Sequence, residues 1–236
     1  MKPLAIHVLL SLGCLLLCAC SPAERDRVGS SGEGEGGGEG EGEGEGEGEG
    51  EANCPVDVAR VGEVDIFLYE ASRPTATADG AGDGEEHSAC SKAAVLPWTF
   101  VSKAIASTAC ERSGFRLCSF DEWRLACGSS RGLPQPYGGP HQPGTCNDNQ
   151  GGSSQLEATG SRTECVSQEG VFDMVGNIWE WVSDLGDEGQ TTSVGWSFQQ
   201  PDSAPAVAPS CDFKFRHRFT PYQTPDHGFR CCRDSR

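Results

Sequence analysis

The richest chemistry in the chain sits in DMVGNIWEWVSD, Asp173 to Asp184. The stretch offers carboxylates at Asp173 and Glu180 and a run of backbone carbonyls around a Gly-Asn pair. Calcium takes six to eight oxygens from such groups, so a metal loop is one reading. Trp179 and Trp181 favour another, a core segment, because indoles bury large areas. Thiols are the second candidate chemistry. Ten cysteines follow the amino-terminal segment: Cys54, Cys90, Cys110, Cys118, Cys127, Cys146, Cys165, Cys211, Cys231 and Cys232. An even number in an exported chain reads as a disulfide framework, with connectivity left open. Spacing singles out no Ser-His-Asp grouping, no Walker-type phosphate loop and no dinucleotide fingerprint.

The elements that must position these residues are short. Val64 to Tyr69 mixes alternation with an apolar run and predicts a strand. Thr75 to Glu86 is small, polar and acidic, and reads as an exposed loop. Ser102 can cap a helix running through Arg112, which Gly114 stops. Phe115 to Cys118 is a short strand or connection. Ser119-Phe120-Asp121-Glu122 is a capping box that predicts a second helix carrying Trp123, Leu125, Ala126 and Cys127. Residues 128–153 are rich in Gly, Pro and Asn and read as loop. Gly228 to Cys232 reads as a closing strand, on which adjacent Cys231 and Cys232 face opposite sides and find different partners. Through that strand either could pair with Cys211.

The amino terminus speaks to the compartment. A positive start at Met1-Lys2 precedes an apolar run from Leu4 to Ala19, too short to span a membrane comfortably. Residues 1–19 therefore read as a signal. Leu17-Cys18-Ala19-Cys20 resembles a bacterial lipobox, which would make Cys20 a lipidated new amino terminus. Ser21 then points to the outer membrane of a Gram-negative cell. An ordinary signal peptide cut near Ala23 is the alternative. Residues 20–53 form a tether of near-pure Gly-Glu alternation that can bury nothing. Its flexibility and like charges give it a reach of roughly 30 Å or more. Its alternating part, Gly32 to Glu51, holds nine glutamates of the −17 net charge, and the rest of the chain is still acidic. That argues against nucleic acid as a partner, which wants Lys/Arg-rich faces. The globular domain is 54–236.

Three motifs in order, RLCSFDEWRLAC (116–127), GVFDMVGNIWEWVSD (170–184) and TPDHGFRCC (224–232), resemble the formylglycine-generating enzyme family, also called sulfatase-modifying factors. The resemblance covers about Tyr69 to Cys232. It implies an α+β domain of the C-type-lectin-like kind, loop-rich, poor in regular secondary structure and here stapled by disulfides. It also implies a calcium loop in which Asp173 and Glu180 give side-chain oxygens and Gly176 and Ile178 give carbonyls. Family enzymes bind copper through two cysteines about five residues apart, because soft thiolates suit Cu(I). Cys211 fits the second position, the first falls near Ala206, and no neighbour supplies a thiol. The resemblance further implies Arg216, Arg218 and Arg230 on a substrate groove, where pairing with acids explains them equally well. Relatives in the wider superfamily hold iron with two histidines and a carboxylate. His87, His141, His217 and His227 show no such spacing, and Arg216 and Arg218 flank His217.

The expectation is an envelope lipoprotein anchored in the membrane at Cys20, with its domain in the periplasm or at the cell surface. Its sulfatase-modifying-factor-like domain, holding a structural calcium and lacking a complete copper site, would bind or scaffold an envelope protein or a glycan. The alternatives are an oxidoreductase working around Cys211 and a calcium-dependent carbohydrate-binding module.

Overall fold

In a computed structural model, residues 54–84, 87–151, 153–185, 191–199, 208–217 and 223–236 are described. All fall within one compact unit, Glu47–Arg236. The signal, the lipobox and the whole tether lie outside them. Among the described residues no helix is long and apolar enough to cross a membrane.

Two helices form where their caps predict. Helix α1, Lys103–Arg112, starts at Ser102, whose side chain accepts from the Ile105 amide. Helix α2, Phe120–Gly128, starts at Ser119 with the full capping box: Ser119 accepts from the Glu122 amide, and the Glu122 carboxylate accepts from the Ser119 amide. A cap of this kind contributes about 1 kcal/mol.

The strands are β1 (Val58–Val61), β2 (Val64–Phe67), β3 (Arg116–Leu117), β4 (Trp179–Leu185), β5 (Thr191–Gly195), β6 (Lys214–His217), β7 (His227–Phe229) and β8 (Cys231–Asp234). They make two four-stranded sheets, ordered β1-β2-β8-β3 and β6-β5-β4-β7. The first is antiparallel throughout. In the second, β4 and β7 run parallel and the other pairs antiparallel. The predicted single closing strand is therefore two strands in different sheets, parted at Arg230.

Strand alternation gives the first sheet a buried set on each face. Val64, Ile66 and Cys232 join one apolar cluster with Trp123 and Trp196. Phe67, Leu117 and Cys231 join another with Trp98, Trp181 and Phe229. A side chain of this size, fully buried, stabilises by about 1.5–3 kcal/mol. Five disulfides staple the fold: Cys54–Cys90, Cys110–Cys231, Cys118–Cys232, Cys127–Cys211 and Cys146–Cys165. The adjacent Cys231 and Cys232 do take different partners, on the two clusters. Cys211 pairs with neither of them. Its partner is Cys127 on α2, because the chain entering β6 crosses α2 rather than β8.

Candidate functional site

The motif that opened the sequence is a buried junction. Gly176 has φ of +92°, and a Cβ there would stand 2.8 Å from the Asn147 carbonyl, so only glycine fits. Its neighbour Asn177 ties three loops together. The Asn177 side chain donates to Glu70 Oε2 (2.6 Å) and the Glu157 carbonyl (3.1 Å), and accepts from the Glu157 amide (3.0 Å) and Asn147 Nδ2 (3.1 Å). Ile178, Trp179 and Trp181 are core residues. The segment thus settles as architecture, with WEW running straight into β4.

Three carboxylates, Glu70, Asp173 and Glu180, surround one guanidinium, Arg230, and all four residues are buried. Arg230 Nη2 donates to Glu180 Oε1 at 2.9 Å and Nε to Oε2 at 3.0 Å, a forked pair. Its remaining donors reach the Phe67 carbonyl (2.7 Å) and the Phe172 carbonyl (2.9 Å). Trp123 Nε1 also donates to Glu180 Oε2 at 2.8 Å. Burial raises the Glu70 carboxyl well above the usual carboxylate range, and the charges of Asp173 and Glu180 push it the same way, so it keeps its proton. Its Oε1 has no hydrogen-bond partner among the described residues.

This geometry bears on the calcium loop. Glu180 does not fit the ligand role that the resemblance implies, because Arg230 and Trp123 already hold its carboxylate. Arg230 supplies the buried positive charge instead. Asp173 accepts from the Gly160 amide at 2.7 Å and retains its second oxygen. Any calcium here would rest on Asp173 and loop carbonyls, without Glu180.

Burial pushes the Asp173 carboxyl up to about 7; Glu180 and Glu157 add to this, while the Gly160 amide and Arg230 oppose it. The folded chain therefore holds this proton more tightly than the unfolded one. The resulting stability is complete below about pH 4 and is lost as the pH rises through about 7. Asp173→Asn keeps the acceptor for Gly160 and suits the positive φ of this position (+56°). It is expected to remove that decline and to leave the variant on the order of 2 kcal/mol more stable than the wild type at pH 8. Urea melts of both proteins at about pH 5 and pH 8 check this; a gap that does not widen with pH would refute it.

Arg230 is internal, Arg216 is exposed on β6, and Arg218 lies outside the described residues. Cys211 is fully buried and bonded to Cys127.

Sequence reasoning missed one cluster. Ser193 on β5, His217 on β6, and Asp226 and His227 at β7 are all buried and mutually hydrogen-bonded. Burial and the nearby His227 hold His217 down to about 4, so its imidazole is neutral. Asp226 is held below the usual carboxylate range: the His227, Thr224 and Ser197 hydrogen bonds outweigh its burial. The Asp226-His227 pair was the one visible signal. His227 is not the surface histidine its neighbours suggest.

Residues 49–235 match the family described as Sulfatase-modifying factor enzyme 1-like domain. None of the curated proteins matches the chain. Among solved structures, PvdO from Pseudomonas aeruginosa aligns with a TM-score of 0.53 at 16% identity, covering 72% of this chain and 80% of that one. CarF aligns with a TM-score of 0.49 at 17% identity, covering 73% of this chain and 87% of that one. The PvdO likeness speaks to fold alone. The family match spans most of the sequence and all three motifs, and the chain belongs to the Sulfatase-modifying factor enzyme 1-like domain family.

Proposed function

We propose that this chain is a non-catalytic binding module of its family, held at the cell envelope by a lipid on Cys20 and set off from the membrane by its Gly/Glu tether. One observation carries the reading: Cys211, in register with a copper-binding cysteine, is cross-linked to Cys127 in the core. A disulfide sulfur has no thiolate to offer Cu(I). Every cysteine from Cys54 onward is bonded in the same way, so no neighbour can take the role. The residues present do not fit the family's copper centre, and no oxidation step is derived through it. The tether suits a domain that must reach a partner on another envelope protein.

The test uses the mature protein without reductant. It is incubated with copper, oxygen and a cysteine-containing peptide, and the peptide is followed by mass spectrometry. No conversion to the aldehyde is expected, and no thiolate-copper absorption. Turnover by the non-reduced protein would overturn the reading. Palmitate labelling in the bacterial host, expected for the wild type and absent in Cys20→Ser, checks the anchor.

A further inference from the structure

The buried Ser193-His217-Asp226-His227 cluster plays no part in the reading above. Non-local pairing assembles it: β5 lies between β6 and β4, and β4 pairs with β7. His227 Nδ1 lies 2.9 Å from Asp226 Oδ1 and 2.7 Å from Thr224 Oγ1. Asp226 is fixed in turn by Ser197 (2.8 Å) and Thr224 (2.7 Å). A carboxylate at this distance places the ring proton on Nδ1 and turns the Nε2 lone pair the other way. That lone pair looks toward His217, whose Nε2 is 3.2 Å away. Ser193 Oγ completes a triangle, 2.8 Å from His217 Nε2 and 3.4 Å from His227 Nε2.

A hydrogen-bond relay and a metal centre both place ring nitrogens about this far apart. The ring positions lie nearer the second. A head-to-head N–H···N bond of this length would hold the ring centroids ~5.5 Å apart. Lone pairs converging on one ion ~2 Å from each nitrogen would hold them ~5 Å apart. The observed separation is 4.8 Å, with the planes at 77°. A point ~2 Å from both nitrogens and from Ser193 Oγ also exists, roughly 1 Å off the plane of the three atoms, at ordinary bond lengths for zinc. Trp181 flanks both rings, with centroids 5.0 Å from each.

The geometry points to a divalent transition-metal site of the zinc class, with His217 Nε2, His227 Nε2 and Ser193 Oγ as ligands and Asp226 as the carboxylate behind His227. Imidazole suits zinc, copper(II), cobalt(II) and nickel(II), and does not suit calcium or magnesium. Among the described residues no three His, Cys, Asp or Glu side chains are arranged to hold an ion, so the third ligand here is the Ser193 hydroxyl. Asp226 offsets part of the ion's charge. The inference rests on neither the lipid anchor nor the state of Cys211.

The mature full chain, stripped with chelator and dialysed, is titrated with Zn²⁺ and Co²⁺. Expected are one tightly bound ion per chain by elemental analysis, a cobalt visible spectrum with nitrogen ligation, and a Zn²⁺-dependent rise in Tm. His217→Ala and His227→Ala should each bind at least ~100-fold more weakly, and Asp226→Asn about 10–100-fold more weakly, with His141→Ala unchanged. A wild-type chain with neither stoichiometric ion nor Tm rise would overturn the site, as would full stoichiometry kept in both histidine variants. The wild-type result decides the matter even where a variant fails to fold.

Discussion

Arg230→Ala should destabilise the domain by about 3–5 kcal/mol, the largest loss expected of any single truncation. The loss would come from what stays behind as much as from what is removed. Arg230 is the one cation at the centre of Glu70, Asp173 and Glu180, and its donors also satisfy the Phe67 and Phe172 carbonyls. Without it, Glu180 is a buried carboxylate whose remaining hydrogen bond in this site is the one from Trp123. Two buried carbonyls also lose their donor, each at a cost of about 1–3 kcal/mol if water cannot reach it. Arg230→Lys should recover only a fraction, since an ammonium cannot span both carboxylate oxygens and both carbonyls. Guanidinium melts of the two variants against the wild type measure this. A loss under about 1 kcal/mol for Arg230→Ala would mean the pair is solvated and the site misread.

The Cys127–Cys211 cross-link should carry an effect of similar size. It closes 84 residues of chain, for which the chain-entropy relation gives ~4.5 kcal/mol, within a usual range of about 2–5 kcal/mol for native disulfides. The double variant Cys127→Ala/Cys211→Ala should lose about that much in denaturant melts. Alkylation of the unfolded, non-reduced wild type should leave Cys211 unlabelled and yield a Cys127–Cys211 cross-linked peptide. Label on Cys211 would return the thiolate to the molecule and sink the non-catalytic reading with it.

What was legible in the sequence is what local chemistry decides. Ser102 and Ser119 announced their helices because a cap bonds within three residues of itself. The family motifs announced the fold because they preserve order along the chain. Adjacent Cys231 and Cys232 announced two partners because strand geometry alone separates them. The rest needs distance. Nothing near Cys211 points to Cys127, and ten cysteines leave too many pairings for elimination. Glu180 looks like a metal ligand until Arg230 arrives from between β7 and β8. Ser193, His217 and Asp226 sit on segments whose meeting is set by sheet pairing, so no spacing could have joined them. The arginine before His217 misled for the same reason: alternation turns a strand residue away from its neighbour.

Cys231 and Cys232 also act as a ratchet on alignment. A strand that slips by one residue exchanges its two faces, and nothing in a short strand such as β8 forbids the slip strongly. Here one thiol must meet α1 on one face while the next meets Cys118 on the other. A slipped β8 would turn each sulfur away from its partner and leave both unbonded. Oxidation therefore records the correct alignment covalently, and does so only when both faces are right at once. For a small domain with modest cores, the double staple works as a proofreading step, in which closing the bonds certifies that the sheet was laid down in frame.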